Sequence, residues 1–204
     1  MTQPVPPSVA DSKLHQFLQH PKLTQCHPLS SEQLFAHTAE LPIKMITSAA
    51  GPYLERYFLV EENGCFAYLH RFVNEDARDE GVHDHPWELA YSQVLHGGYT
   101  QQVNAGAVVP GHTLLLNEQR IQAGDTNLIA GTRFHKITQV DNETWTLFIH
   151  SEWCRPWGFL HGDLGTGEFE HQVHPSDPDH RWWPHTPLAK NSNREPFVDA
   201  QLVA

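Results

Sequence analysis

The chain has 204 residues, a formal net charge of −11 at pH 7 and 39% hydrophobic residues, with 16 histidines. This is the composition of a globular chain long enough for one substantial domain, and its acidity argues against nucleic acid or an anionic membrane as the main partner. No apolar run approaches the ~20 residues needed to span a bilayer, and the amino terminus lacks the apolar core of a signal peptide. We therefore expect a cytoplasmic protein.

The amino-terminal region, residues 1–50, is predicted to contain an arm and two short helices. Prolines dominate the first residues, and apolar side chains then recur at helical spacing over 12–20. The segment 30–41 begins with serines that can cap a helix, and Pro42 ends it. We expect both helices to lie on the outside of a larger domain.

Strand signals begin at residue 53. The sequence "YLERYFLVEENGCFAYLHRFV" places two aromatic and β-branched runs around an Asn-Gly pair, which is a strong hairpin signal. Further strand-like runs, separated by turn residues, occupy 90–103, 112–123, 126–131, 135–140 and 144–153. Many short strands without helices between them predict an all-β antiparallel sandwich or barrel over residues 51–160.

The strand pattern fades after Trp157. Residues 161–204 are rich in proline, glycine and histidine and are predicted to form an irregular C-terminal extension. Trp182 and Trp183 should anchor this extension on the barrel, since a free tail rarely carries such apolar mass. The three cysteines (Cys26, Cys65 and Cys154) are too few and too widely spaced for a disulfide framework.

Two histidines lie close together in "GVHDHPWE", residues 81–88. Strand side chains alternate faces, so His83 and His85 point the same way and can chelate one divalent ion if a neighbouring strand supplies a third group. The alternative is a pair of surface histidines in a polar turn. About forty residues later, "AGDTNLIAGTRFHKI" contains a turn, a short apolar strand, a second turn and then His135.

These two segments together resemble the two conserved motifs of the cupin superfamily. The resemblance implies a jelly roll (double-stranded β-helix) that brings His83, His85 and His135 into one metal site. Glu88 falls one position early for the glutamate of the first motif, which makes it an optional ligand or a nearby hydrogen-bond acceptor. In the second motif, "IAG" stands where "IPAG" is common.

A narrower resemblance covers about residues 53–160. The signatures "HDHPW", "GGY", "WTLF" and "WGF" are similar to those of a bacterial group of small cupin-like proteins. This likeness implies the fold and the metal, but no particular reaction. The cupin resemblance also implies a homodimer joined through sheet edges.

Strand alternation selects further candidates for the interior of the barrel. His70 shares a face with Phe66, Tyr68 and Phe72, and His150 shares a face with Thr146 and Phe148. Each histidine is a candidate substrate contact or further ligand, and the alternative is a hydrogen-bonded core histidine. Asp84, between the two histidines of the first motif, should face away from the metal.

Three arginines lie within or beside the barrel segments: Arg71, Arg133 and Arg155. An enzyme that uses 2-oxoglutarate needs a cation for the distal carboxylate, and any of the three could supply it. An ordinary surface ion pair is the alternative role for each.

The predicted function follows from the metal. Neutral imidazoles suit several divalent transition metals, and affinity alone does not choose between them. Fe(II) with vacant positions can bind substrate and oxygen together, and the cupin resemblance implies dioxygen chemistry as the commonest use of such a site. We predict a mononuclear non-haem iron dioxygenase or hydroxylase acting on a small polar organic molecule. The alternatives are a redox-neutral isomerase or lyase, in which Glu88, Tyr91 or Tyr99 would move protons, and a non-enzymatic small-ligand-binding module.

Overall fold

The computed structural model describes residues 9–27, 29–48, 51–74, 81–175 and 180–197. The predicted arm lies almost wholly outside this part of the chain. The helices are α1 (Val9–Phe17), α2 (Pro21–Thr24) and α3 (Ser31–His37), followed by a 3-10 turn (Thr38–Glu40). The strands are β1 (Ile43–Ser48), β2 (Gly51–Glu62), β3 (Cys65–Phe72), β4 (Val82–His83), β5 (Leu89–His96), β6 (Gly98–Asn104), β7 (Leu116–Gln122), β8 (Thr126–Ala130), β9 (His135–Val140), β10 (Thr144–Ser151), β11 (Gly158–Asp163) and β12 (Glu168–Val173). Two further 3-10 turns, Trp183–His185 and Ala189–Asn191, lie near the C-terminus.

The strands form two six-stranded antiparallel sheets. The first has the order β1-β2-β3-β10-β5-β8 and the second β12-β11-β4-β9-β6-β7. Successive segments of the chain thus alternate between the two sheets, which is the arrangement of a jelly roll. The predicted all-β jelly roll is confirmed.

The sheets extend beyond the predicted limits of the barrel at both ends. The strand β1 precedes residue 51, and the hairpin of β11 and β12 runs from the end of the predicted barrel into the stretch predicted to be irregular. The strand β12 is an edge strand whose side chains are exposed except for Phe169, so it lacks the apolar alternation that marks a half-buried strand.

The N-terminal helices cover the outer face of the first sheet. Leu14, Leu23 and Leu34 of the helices are buried against Tyr57 and Trp145 of the sheet. Every residue of β3 and β10 is consequently buried, because both faces of the central strands are covered. None of the helices in the described ranges has the length and apolarity that crossing a bilayer requires.

The helical segments follow from local sequence. Ser30 caps α3 by accepting from the backbone N–H of Gln33, whose side chain accepts from the backbone N–H of Ser30 in return. The helix predicted over 12–20 ends at Phe17, and a separate single turn, α2, begins at Pro21. Proline suits this position because the first helical residue needs no N–H donor.

Candidate metal centre and its cavity

Three histidines from two adjacent strands and the segment that follows one of them lie together at the wall of the space between the sheets. His83 ends β4 and stands opposite His135, the first residue of β9. His85 follows two residues after His83, and the ring centroids of the three histidines are 5.0 Å apart in each pairing. One ligand atom from each lies within 4.8 Å of the others. The histidines of both sequence motifs are thus brought into one cluster.

Backbone contacts between the two motifs hold this cluster together. The N–H of His85 donates to the carbonyl of Gly131 at 2.9 Å, and the N–H of Gly131 donates to the carbonyl of Glu88 at 2.9 Å. A Cβ at Gly131 would lie 1.7 Å from the carbonyl oxygen of Trp87. Only glycine therefore lets the turn before β9 approach the first motif this closely.

A glutamine fixes the orientation of His135. Nδ1 of His135 lies 2.9 Å from Oε1 of Gln101, which also accepts from Nδ2 of Asn127, while Nε2 of Gln101 donates to Gln119. Since this amide oxygen can only accept, Nδ1 of His135 carries the proton and Nε2 has a free lone pair. That Nε2 lies 2.8 Å from Nε2 of His85.

The donor set fits a divalent transition metal. Burial, followed by the neighbouring histidines, lowers the pKa of His85 well below its ordinary value, and burial followed by His83 does the same for the pKa of His135. Both rings are thus neutral near pH 7 and have lone pairs available. Two nitrogens that lie about 2.0–2.1 Å from one ion approach each other to roughly 3 Å, which is close to the observed Nε2 separation.

Asp84 faces away from the cluster and anchors the first motif to the start of β11. Its buried carboxylate accepts from the backbone N–H of Gly158 at 2.7 Å and from the guanidinium of Arg155, with Nε2 of His171 at 3.3 Å. Arg155, a predicted substrate contact, therefore lies in an ion pair outside the cavity lining. Asp84 faces away from the histidines, as strand alternation predicts.

A cavity of about 610 Å³ lies between the two sheets, next to the three histidines. Its wall is largely aromatic, with Phe66, Tyr68 and Phe148 from the first sheet. The C-terminal extension contributes His180 and Trp182, and Trp182 is only 7% exposed. The tryptophan anchor predicted for this extension therefore borders the cavity itself.

His70 and His150 both line the cavity on the side of the first sheet. Nδ1 of His150 lies 2.7 Å from the carbonyl oxygen of Ser151 and donates to it, so Nε2 is left as an acceptor. Burial lowers the pKa of His150 to about 3. Nε2 of His70 accepts from Nε of Arg56 at 3.0 Å, and burial followed by the charge of Arg56 lowers the pKa of His70 well below its ordinary value.

The predicted proton-transfer residues are separated by the fold. Tyr99 is buried in the cavity wall, where its hydroxyl accepts from Nδ2 of Asn127 at 3.0 Å, and burial raises its pKa. Tyr91 lies on the opposite face of the first sheet, where its hydroxyl contacts Asp11 and His15 of α1. Glu88 is exposed and does not line the cavity, so the structure gives it no place among the ligands.

The remaining predicted arginines also lie away from the cavity. Arg71 is buried on the outer face of the first sheet, where it pairs with Glu55 and Glu143 and donates to the backbone near the C-terminus. Arg133 is half-buried in the turn before β9 and does not line the cavity. Its charge contributes to the lowered pKa of His135, after burial and the charge of His83.

Two cationic residues of the cavity wall and one supporting residue are absent from the sequence predictions. Arg56 of β2 and Lys44 of β1 line the cavity, and Gln101 of β6 supports His135. Their roles depend on which residues oppose them on neighbouring strands. No sequence signal places Arg56 in the cavity, because the register of β2 against β3 shifts between Phe58 and Val60.

Comparison with known proteins gives similarity at the level of overall fold. No family model and no curated protein matches the sequence. Among solved structures, the chain is similar to KdgF from Halomonas sp. at 12% identity, covering 52% of this chain and 87% of that chain with a TM-score of 0.40. It is similar to FeII HppE at 14% identity, covering 55% of this chain and 56% of that chain with a TM-score of 0.42. A third similar structure is an RmlC-like cupin from Shewanella frigidimarina NCIMB 400 at 16% identity, covering 53% of this chain and 84% of that chain with a TM-score of 0.35.

Proposed function

We propose that this protein, a cupin by its jelly roll and its paired histidine motifs, is a metal-dependent enzyme acting on a small organic molecule. Its metal would be one divalent transition ion held by His83, His85 and His135. The observation that carries the proposal is the cluster itself, in which three imidazoles converge at the wall of a cavity of about 610 Å³. Such a cavity has the size and the apolar lining of a small-molecule site.

Fe(II) is the metal we favour. Bound Fe(II) would supply the oxidation of an organic substrate by dioxygen, which histidine-held iron supports. The chain's own residues would keep the site dry and orient the substrate. Trp87 stacks on His85 at 4.4 Å and on His150 at 4.7 Å, which fixes both rings. Nε2 of His150 offers an acceptor to a substrate hydroxyl or amine.

Metal analysis of protein purified without added metal tests the proposal. We expect about one equivalent of a transition metal, or uptake of one equivalent of Fe(II) on titration. The His135→Ala variant should remain folded and lose the metal, whereas His112→Ala, at an exposed turn, should keep it. Absence of any bound metal, before and after titration, would contradict the proposal.

Oxygen consumption by the iron-loaded protein distinguishes the reaction types. Uptake that requires 2-oxoglutarate would identify a 2-oxoglutarate-dependent hydroxylase, and uptake without it would identify a dioxygenase. The cation for the distal carboxylate of 2-oxoglutarate would then have to come from the cavity wall, since Arg71, Arg133 and Arg155 do not line it.

A redox-neutral isomerase or lyase is the second candidate. It is favoured by Tyr99, whose hydroxyl lies in the cavity wall and could donate a hydrogen bond to a substrate oxygen that becomes negatively charged. Bound zinc or nickel without oxygen uptake would support this candidate.

Four further expectations stay predictions: the homodimer, the cytoplasmic location, the absence of a nucleic-acid partner, and a non-enzymatic ligand-binding role if no reaction is found. Light scattering after size-exclusion chromatography tests the dimer.

A further inference from the structure

The charges around the cavity run opposite to the charge of the whole chain. The protein carries a formal net charge of −11, yet no aspartate or glutamate is among the described residues that line the cavity. Lys44 and Arg56 do line it, together with histidines. A wall that combines cations and aromatic rings without a carboxylate favours an anionic guest.

Arg56 is held by a histidine and an aromatic ring. Its Nε donates to Nε2 of His70 at 3.0 Å, and its guanidinium carbon lies 5.4 Å from the ring centroid of Tyr68. Within the described ranges, no carboxylate oxygen lies within 4.0 Å of its guanidinium. Its terminal nitrogens are accessible rather than buried, and the side chain lines the cavity, so they face the open space.

Strand register directs this guanidinium inward. Arg56 is paired with Lys44 on one side and with His70 on the other, and His70 is in turn paired with Thr146. These side chains form a polar row across the inner face of the first sheet. Arg56 and the three clustered histidines line the same cavity.

Arg56 is half-buried, and no carboxylate within the described ranges neutralises its charge, so an anion that enters with the ligand would supply a counter-charge. With Nε held by His70, the two terminal nitrogens of Arg56 present parallel N–H groups that match the two oxygens of a carboxylate. The aromatic wall would receive the apolar body of the same molecule.

We infer that the cavity binds a small organic carboxylate, with the carboxylate on the terminal nitrogens of Arg56 and the apolar body against the aromatic wall. His70 acts as a positioning residue that holds Arg56. The identification of this carboxylate as the substrate rests on the proposed function, whereas its binding to Arg56 does not.

Binding to the metal-free full-length chain tests this inference. Calorimetry would compare a panel of carboxylates (acetate, propionate, benzoate and 3-phenylpropionate) with the matching neutral amides. We expect at least one acid to bind, with its amide about tenfold weaker or more. The Arg56→Gln variant should weaken binding of that acid about 10- to 100-fold and leave binding of the amide nearly unchanged.

Two variants and one further ligand serve as controls. Arg120→Gln removes one positive charge from an exposed ion pair with Asp141 and should bind the acid like the wild type. Arg56→Lys keeps the charge but loses the planar fork, so it should bind the acid with intermediate affinity even if Arg56→Gln folds poorly. Phenyl phosphate distinguishes a phosphate site, and its binding more tightly than every carboxylate would overturn the assignment.

The inference is also overturned if no acid of the panel binds up to about 10 mM, if an amide binds as tightly as its acid, or if folded Arg56→Gln retains wild-type affinity. Because no metal is present in these measurements, failure of the metal proposal and failure of carboxylate binding are separate results.

Discussion

The hydrogen bond between Gln101 and His135 determines which nitrogen of His135 is available to a metal. Oε1 of Gln101 holds the Nδ1 proton of His135 at 2.9 Å and so turns the lone pair of Nε2 toward the other histidines. A ligand histidine whose second nitrogen is fixed in this way loses less orientational freedom when it binds a metal. Gln101 is 1% exposed, so no water replaces its oxygen if it is removed.

Replacement of Gln101 by leucine should weaken metal binding. Leucine keeps the approximate shape of the side chain but leaves Nδ1 of His135 without an acceptor, so either tautomer becomes accessible. We expect metal affinity to fall about 10- to 100-fold, measured by competition with a chelator of known affinity. Gln139→Leu on β9, where the side chain is exposed, is the matched control and should bind metal like the wild type. Unchanged affinity in folded Gln101→Leu would show that the hydrogen bond does not orient the ligand.

At the scale of the elements, the sequence predicts the hairpin and its inward faces but not one register shift. The Asn63-Gly64 turn joins β2 and β3 as the Asn-Gly signal predicts, and both residues have positive φ. A hairpin counted evenly from that turn would pair Arg56 with Arg71 and place both on the outer face. The register shifts between Phe58 and Val60, so Arg56 opposes His70 instead.

A bulge of this kind adds one residue to a strand, and nothing in the local residue pattern marks it. Strand alternation on β3 and β10 needs no such information, which is why His70 could be grouped with Phe66 and Tyr68, and His150 with Phe148, from sequence alone. Gln101 could not be connected with His135, because that contact depends on β6 lying beside β9. Alternation within a strand is thus readable from sequence, and pairing between distant strands is not.

The close approach of the two motifs gives a prediction at the same scale. In Gly131→Ala the new Cβ would meet the carbonyl oxygen of Trp87 at 1.7 Å, so one backbone segment must move. We expect a loss of unfolding free energy of about 3 kcal/mol and weaker metal binding, since the N–H of His85 donates to Gly131. Denaturant unfolding measures the first effect and metal titration the second.

Gly106→Ala is the control for this variant, because no atom lies within 4 Å of the position that its new Cβ would take. It should unfold and bind metal like the wild type. If Gly131→Ala matched it in both measurements, the two motifs would not be held together by this contact.

For the molecule as a whole, the cavity gathers histidines that resist protonation. His70, His85, His135 and His150 all have a lowered pKa, and burial is the largest cause for each. An unfolded chain would protonate the same rings near their ordinary pKa of 6.5. The unfolded state therefore binds more protons below that pH, and the stability of the metal-free protein should fall as the solution becomes acidic.

The contribution of His150 to this loss can be isolated. Its folded pKa is about 3 against an ordinary 6.5, so His150 does not affect stability above about pH 6.5 and destabilises the folded state increasingly as the pH falls toward 3. Between pH 7 and pH 5 this amounts to about 2 kcal/mol. His150→Gln should reduce the pH-dependent loss of unfolding free energy by that amount, measured by denaturant unfolding of metal-free protein at both pH values. His112→Gln, at an exposed turn, should keep the wild-type difference. If His150→Gln and His112→Gln lost the same unfolding free energy between pH 7 and pH 5, His150 would be protonated in the folded protein at pH 5. The cavity would then admit the water needed to stabilise its charge.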